Sequence, residues 1–92
     1  MKIYSIYDGQ AKFWLSPFTA QNDNVAKRMF IVSLGDSFPF RADFILYSIG
    51  EFDTDNGLIE AQPTPAVVLN GISIADSYAP VHGDIAKQEK SS

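Results

Sequence analysis

Aromatic side chains are the most abundant groups in this sequence that could bind a ligand. Neighbouring residues on a strand point to opposite faces of a sheet, so one helix cannot cover both Phe13 and Trp14. Proteins that bind single-stranded nucleic acid stack bases on such rings and contact the backbone through lysine and arginine. The candidate contacts for single-stranded DNA are Tyr4, Tyr7, Phe13, Trp14, Lys2, Lys12 and Arg28. The alternative is that the rings are buried in the core or in a dimer interface.

Carboxylates gather around a glycine in the second half of the chain. Asp53, Asp55 and Gly57 resemble part of a calcium loop, but counting from Asp53 puts the glycine fifth, where such a loop needs it sixth. Glu51 and Glu60 add carboxylates that could bind magnesium or divide acid and base roles. A hairpin turn with a solvated acidic rim explains the pattern better, and we predict no metal site.

The sequence lacks the motifs of nucleophilic catalysis, of iron–sulfur or thiolate chemistry and of phosphate binding. Without cysteine it has no thiolate nucleophile, no iron–sulfur ligand and few options for structural zinc. Its one histidine, His82, lies in a polar stretch, and neither a nucleophile elbow nor a glycine-rich phosphate loop is present. We therefore expect a protein that is not an enzyme and uses no cofactor.

Turn dipeptides indicate the strands that must position the aromatic residues. Asp8-Gly9 predicts a hairpin of residues 2–7 and 12–16, with Ile3, Ser5 and Tyr7 on one face and Tyr4 and Ile6 on the other. A second hairpin, 44–52 with 58–62, is predicted through a turn in which Gly57 takes the left-handed position. A third, 66–69 with 72–75, is predicted through Asn70-Gly71. Four prolines are expected in connectors: Pro17, Pro39, Pro63 and Pro65.

One helix is predicted over residues 23–34, where the apolar period changes to about 3.6. Asn22 or Asp23 can cap its first turn, and Gly35 can end it. The stripe predicted to face the sheet is Val25, Met29 and Val32, with Ala26 and Phe30 beside it. The predicted fold class is α+β, a small antiparallel sheet built from hairpins with one helix packed on it, in the order ββα followed by two to four strands.

Composition limits the size and the surroundings of this fold. A chain of 92 residues with 46% hydrophobic residues can form one small domain, predicted over 1–78, and a polar mobile tail is predicted over 79–92. A net charge of −4 disfavours a purely electrostatic coat on DNA. No apolar run approaches the ~20 residues of a membrane helix, so no membrane contact is expected. The small core predicts a homodimer, with contacts from the first hairpin or an open sheet edge.

Several segments, taken in order, resemble a small non-structural protein of gokushoviruses, which are single-stranded DNA phages of the Microviridae. These segments are residues 1–8, 13–18, 21–28 and 46–53, followed by Gly57. The resemblance covers about residues 1–60 and brings no catalytic residues with it. It implies a protein of the host bacterial cytoplasm that is not built into the capsid. Its partners would be single-stranded DNA or viral or host replication proteins, in DNA replication or in the synthesis and packaging of the single-stranded genome. The alternative is an adaptor between proteins, or a modulator of a host protein, that does not bind nucleic acid.

Overall fold

The computed structural model describes residues 1–79, which form a five-stranded antiparallel sheet with one α-helix on one face. The elements are β1 (Lys2–Asp8), β2 (Phe13–Trp14), β3 (Phe18–Ala20), α1 (Asp23–Leu34), β4 (Phe44–Phe52) and β5 (Ile59–Asn70). The sheet order is β2-β1-β4-β5, and β3 also pairs with β1. This architecture confirms the predicted α+β fold class. Apart from Ala79, the predicted tail over 79–92 lies outside the described residues.

The first predicted hairpin is present, but its second arm is divided. In β2, Trp14 pairs with Tyr7 and Phe13 pairs with Asp8. The Asp8 side chain accepts hydrogen bonds from two backbone amides in the turn, which fixes the chain reversal. The chain then leaves the ladder around Pro17 and returns as β3, whose Phe18 pairs with Tyr4. The sequence did not predict β3, because three residues after a proline are too few to show an alternating pattern.

The second hairpin, between β4 and β5, is also confirmed. Gly57 has φ 76, the left-handed conformation that the turn was predicted to require. The side chains of Asp53 and Asn56 accept hydrogen bonds from the backbone nitrogens of Asp55 and Leu58 at 2.8 and 3.0 Å. These short polar side chains therefore bond the local backbone, as expected of a hairpin turn rather than a calcium loop.

The third predicted hairpin is wrong. Residues 66–69 belong to the long strand β5, and the chain beyond it forms a short 3-10 helix, Gly71–Ser73, instead of a returning strand. Gly71 is buried so closely against the preceding segment that an added Cβ would lie 1.7 Å from the carbonyl oxygen of Arg41. Arg41 in turn donates from Nε to the carbonyl of Ile74 at 2.9 Å. Tight packing on residues 35–43 thus replaces the predicted strand pairing.

Two of the four prolines lie inside a strand, which corrects their predicted place in connectors. Pro63 and Pro65 belong to β5, at the edge of the sheet. Ser48 pairs with Ala66 and Gly50 pairs with Ala61, so residues 62–65 bulge opposite a single residue of β4. An edge bulge tolerates proline because its missing amide hydrogen removes no necessary ladder bond. Pro39 lies in the segment that connects α1 to β4, within 3-10 helical turns over Gly35–Asp43 that are interrupted at Phe40.

The bounds of α1 match the prediction, but its buried stripe does not. The Asn22 side chain accepts a hydrogen bond from the Val25 nitrogen at 3.0 Å, and Gly35 follows the helix with φ 49. The residues that face the sheet are Ala26, Phe30 and Leu34. Met29 is 41% exposed and Val32 is 74% exposed, so the predicted stripe lies largely outside the core. The core cluster that contains Phe30 also includes the buried side chains of Tyr4, Ile6, Leu46, Phe38 and Ile74.

Candidate nucleic-acid interface

The sheet face opposite α1, here called the open face, has only uncharged side chains at its strand positions within residues 1–79. Side chains alternate between the two faces of a strand, and paired residues share a face. Because Tyr4, Ile6 and Leu46 lie in the core with the helix, the register assigns the alternate positions to the open face. These positions are Ile3, Ser5, Tyr7, Trp14, Ile45, Tyr47, Ile49 and Val67.

Three aromatic rings meet on this face and form what we call the aromatic triad, Tyr7, Trp14 and Tyr47. The Trp14 ring centroid lies 5.1 Å from that of Tyr7 and 4.8 Å from that of Tyr47, the second pair with edge-on geometry. Such tilted contacts hold the rings in place. Trp14 is nevertheless 44% exposed, so the triad offers a partly immobilised indole to a ligand.

A cleft of about 440 Å³ lies next to the triad. Ser5 and Ile49 contribute to it from the two central strands, while Trp14, Pro17 and Pro65 line it from the edges. The Ser5 hydroxyl already donates a hydrogen bond of 2.7 Å to the carbonyl of Leu15, so it does not act as a free donor. With these residues, the cleft can offer stacking and apolar contact, and it lacks groups for acid–base chemistry.

Tyr4 and Lys2 do not lie with the triad. Tyr4 is fully buried on the helix side, where its hydroxyl donates a hydrogen bond of 2.7 Å to Asp23 Oδ1. Burial, followed by the hydrogen bond to Asp23, raises the pKa of Tyr4. Lys2 Nζ lies 3.1 Å from the same carboxylate oxygen, and the hydrogen bonds from Tyr4 and Lys2 lower the pKa of Asp23. The Tyr4 ring is therefore not available for stacking on a base.

The remaining candidates are divided between two parts of the molecule. Phe13 is 53% exposed, but it pairs with Asp8 and therefore lies on the side of the sheet opposite Trp14. Lys12 lies in the turn just before β2, with φ 60, and is the candidate cation nearest to Trp14 along the chain. Arg28 is on α1, where it lines a different groove together with Leu69. The structure thus brings Tyr7 and Trp14 together. Lys12 is two residues before Trp14 in the sequence.

Tyr47 is the residue that the list of sequence candidates omitted. It follows Leu46 in β4, and the two lie on opposite faces, one in the core and one on the open face. Alternation within β4 was visible in the sequence, but its pairing with β1 was not. Knowledge of that pairing would have added Tyr47 to Tyr7 and Trp14.

Two further features of the described residues bear on the chemistry of the protein. Residues 1–79 contain no group of three or more histidine, cysteine, aspartate or glutamate side chains that could hold a metal ion. In the same part of the chain, no helix is long and apolar enough to cross a membrane.

Comparison with known proteins gives a match to one family model, described as Phage ORF5 protein, over residues 1–74. The matched residues include all five strands, the helix and the open face. Searches of curated proteins and of solved structures gave no match.

Proposed function

The chain belongs to the Phage ORF5 protein family, and from this we propose that it is a non-enzymatic, non-structural phage protein that assists viral DNA replication or the synthesis and packaging of a single-stranded genome. Its assignment to the gokushoviruses of the Microviridae, its place in the host bacterial cytoplasm and its assembly as a homodimer are parts of this proposal. They are supported by the resemblance of residues 1–60 and by the small size of the core.

The proposed ligand is a short stretch of single-stranded DNA, bound mainly by base stacking on the aromatic triad. The observation that carries this proposal is the exposed indole of Trp14, in contact with two tyrosine rings on an uncharged sheet face. Unpaired bases expose π-faces that stack on aromatic side chains whatever their sequence. A protein with net charge −4 gains little from general attraction to phosphate, so stacking supplies most of the affinity.

Trp14 fluorescence provides the direct test, because the chain has one tryptophan. Titration with an unlabelled single-stranded oligonucleotide should quench the indole emission. With a fluorescein-labelled oligonucleotide and anisotropy as the readout, Trp14→Ala should weaken binding by ~1–3 kcal/mol, the usual contribution of one stacked ring. Phe13→Ala is the matched control, since Phe13 is a neighbouring exposed ring on the other side of the sheet. It should leave the affinity nearly unchanged.

The second candidate function is that of a protein–protein adaptor or modulator of a host protein, and the lack of charge on the open face favours it. A face without cations suits an apolar protein surface as well as it suits bases. Absence of quenching at about 100 µM oligonucleotide in low salt, where even non-specific binding is normally detectable, would exclude DNA as a ligand of the aromatic triad and favour the adaptor. In that case Trp14→Ala should instead lose a purified replication protein in a pull-down that the parent retains.

A further inference from the structure

A second surface, on the helix side of the molecule, combines cations with exposed apolar side chains. A groove of about 600 Å³ runs between α1, the end of β5 and the segment that follows it. We define the basic groove by six of its lining residues, Lys27, Arg28, Ile31, Val32, Leu69 and Tyr78. Val32 and Tyr78 are exposed, and none of the described residues that line the groove is acidic.

The tip of the β4–β5 hairpin has the opposite character. We define the acidic tip as Glu51, Asp53, Asp55, Leu58, Ile59 and Glu60, which combines four carboxylates with two exposed aliphatic side chains. The tip extends beyond β1, because Lys2 pairs with Glu51 and the Phe52 nitrogen donates to the carbonyl of Met1. Residues 53–58 therefore continue past the point where β1 begins, within reach of another molecule.

The two glutamates of the tip lie directly opposite each other. Glu51 pairs with Glu60 across β4 and β5, an arrangement of like charges that destabilises a sheet. The Met1 ammonium group lies 3.2 Å from Glu51 and compensates that charge. Glu60 has no ion partner within residues 1–79. A cation from outside the chain would relieve this repulsion.

We propose that the acidic tip of one copy of the chain docks in the basic groove of a second copy, and that the reciprocal contact closes a two-fold dimer. Each surface supplies what the other lacks: Glu60 meets Arg28, while Leu58 and Ile59 cover the apolar side chains of the groove. The inference rests on the homodimer in the proposed function and does not depend on DNA binding. It also leaves the aromatic triad of both copies open to a ligand.

The free edge of β5 is a less suitable dimer surface, although an open edge was one expectation from the sequence. Pro63 and Pro65 lack the amide hydrogens that edge pairing needs, and the bulge over 62–65 interrupts the strand. These features protect the edge against continuous pairing with another chain.

Charge reversal at one residue of each surface tests the docking. Arg28→Glu and Glu60→Lys should each weaken self-association about tenfold or more in sedimentation equilibrium, because each places like charges across both contacts of the dimer. Mixing the two variants should restore a dimer, since the carboxylate introduced in the groove of one chain then faces the ammonium group introduced in the tip of the other. The second contact of that mixed dimer retains its natural residues. The chain that carries both substitutions should also self-associate.

Lys12→Glu reverses a positive charge as Arg28→Glu does, but Lys12 lies outside both surfaces. This control variant should dimerise like the parent.

Several outcomes would overturn this inference. The first is a parent protein that stays monomeric at about 100 µM, a concentration at which specific dimers are well populated. The second is that the folded single variants dimerise like the parent, and the third is that their mixture stays monomeric. Circular dichroism would show whether each variant is folded. If Arg28→Glu weakened oligonucleotide binding instead of self-association, the groove would bind phosphate rather than a second copy. Trp14 quenching separates the two proposals, because quenching with no dimer leaves the DNA contact intact, and a dimer without quenching leaves the docking intact.

Discussion

The hydroxyl group of Tyr4 joins the core to the first turn of α1. It donates to Asp23, which also accepts a hydrogen bond from Lys2, so one carboxylate oxygen holds two donors from β1. The two hydrogen bonds favour the charged carboxylate and lower the pKa of Asp23. A negative charge in the first turn of a helix also interacts favourably with the helix dipole. This cluster therefore links the position of α1 to the protonation of Asp23.

Removal of that hydroxyl should make the protein less stable and change its response to acid. We expect Tyr4→Phe to cost about 1 kcal/mol at pH 7 in urea unfolding, less than the ~1.5–3 kcal/mol usual for a bond to a charged group, because Asp23 is partly exposed. Folding lowers the pKa of Asp23, so the ionised carboxylate stabilises the folded protein at any pH above its usual pKa of 3.8. This stabilisation is lost as the pH falls through the lower pKa of the folded state. The difference between parent and variant should therefore shrink below about pH 3.8.

The alkaline side provides the complementary test of the same substitution. Folding raises the pKa of Tyr4, so the protonated hydroxyl stabilises the folded protein fully below its usual pKa of 10.0. This stabilisation declines as the pH rises above 10.0. Tyr4→Phe should remove this decline. Tyr7→Phe, on the open face, is the control. An identical pH profile for parent and Tyr4→Phe at both ends would contradict the proposed role of the hydroxyl.

Tyr4 and Tyr7 also illustrate the limit of sequence analysis at this scale. Alternation along β1 correctly predicts that they lie on opposite faces, but not which face the helix covers. That choice depends on the chain path through β3 into α1, and three residues of β3 give no pattern from which to infer it. The sequence therefore identified Tyr7 and Trp14 as possible surface rings but could not exclude Tyr4.

At the scale of elements, the phase of α1 shows a similar ambiguity. Seven apolar residues lie between positions 25 and 34, which is more than one buried stripe requires, so the sequence allows two neighbouring phases. The phase is decided by Phe38 and Ile74, which join Phe30 in the core from segments that follow the helix and the last strand. Neither segment was predicted in its observed form, so the correct stripe could not be selected.

The observed phase predicts opposite results for two adjacent side chains. Phe30→Ala should cost about 3–5 kcal/mol, because it empties a fully buried position in the core. Met29→Ala should cost less than about 1 kcal/mol, since Met29 is substantially exposed. Chemical unfolding of both variants, compared with the parent, measures the difference. Equal losses for the two variants would contradict the helix phase described here.

At the scale of the whole molecule, the distribution of charge matters more than the total of −4. Within residues 1–79, the acidic tip and the basic groove hold opposite charges at separate places, while the open face between the sheet edges holds none. The first two hairpins, the helix and the acidic balance were all predictable from local patterns. The segregation of charge was not, because it depends on strand pairing between distant parts of the chain.

This distribution predicts that the proposed DNA binding depends only weakly on salt. Of the candidate cations, Lys2 is hydrogen-bonded to Asp23, and Arg28 lines the basic groove on the helix side. Lys12 remains, and it is close in sequence to Trp14 of the aromatic triad. When the logarithm of the binding constant is plotted against the logarithm of the salt concentration, each phosphate contact on a single strand contributes about −0.7 to the slope. We therefore expect a slope of about −0.7, the value for one phosphate contact. Fluorescence titrations of Trp14 at several salt concentrations measure it. Lys12→Ala should make the salt dependence of binding shallower. Trp14→Ala, measured by anisotropy of the labelled oligonucleotide, should weaken binding and leave the salt dependence unchanged. A slope steeper than about −2 would mean at least three phosphate contacts, more than the surroundings of the triad can provide, and would move the DNA site towards Lys27 and Arg28.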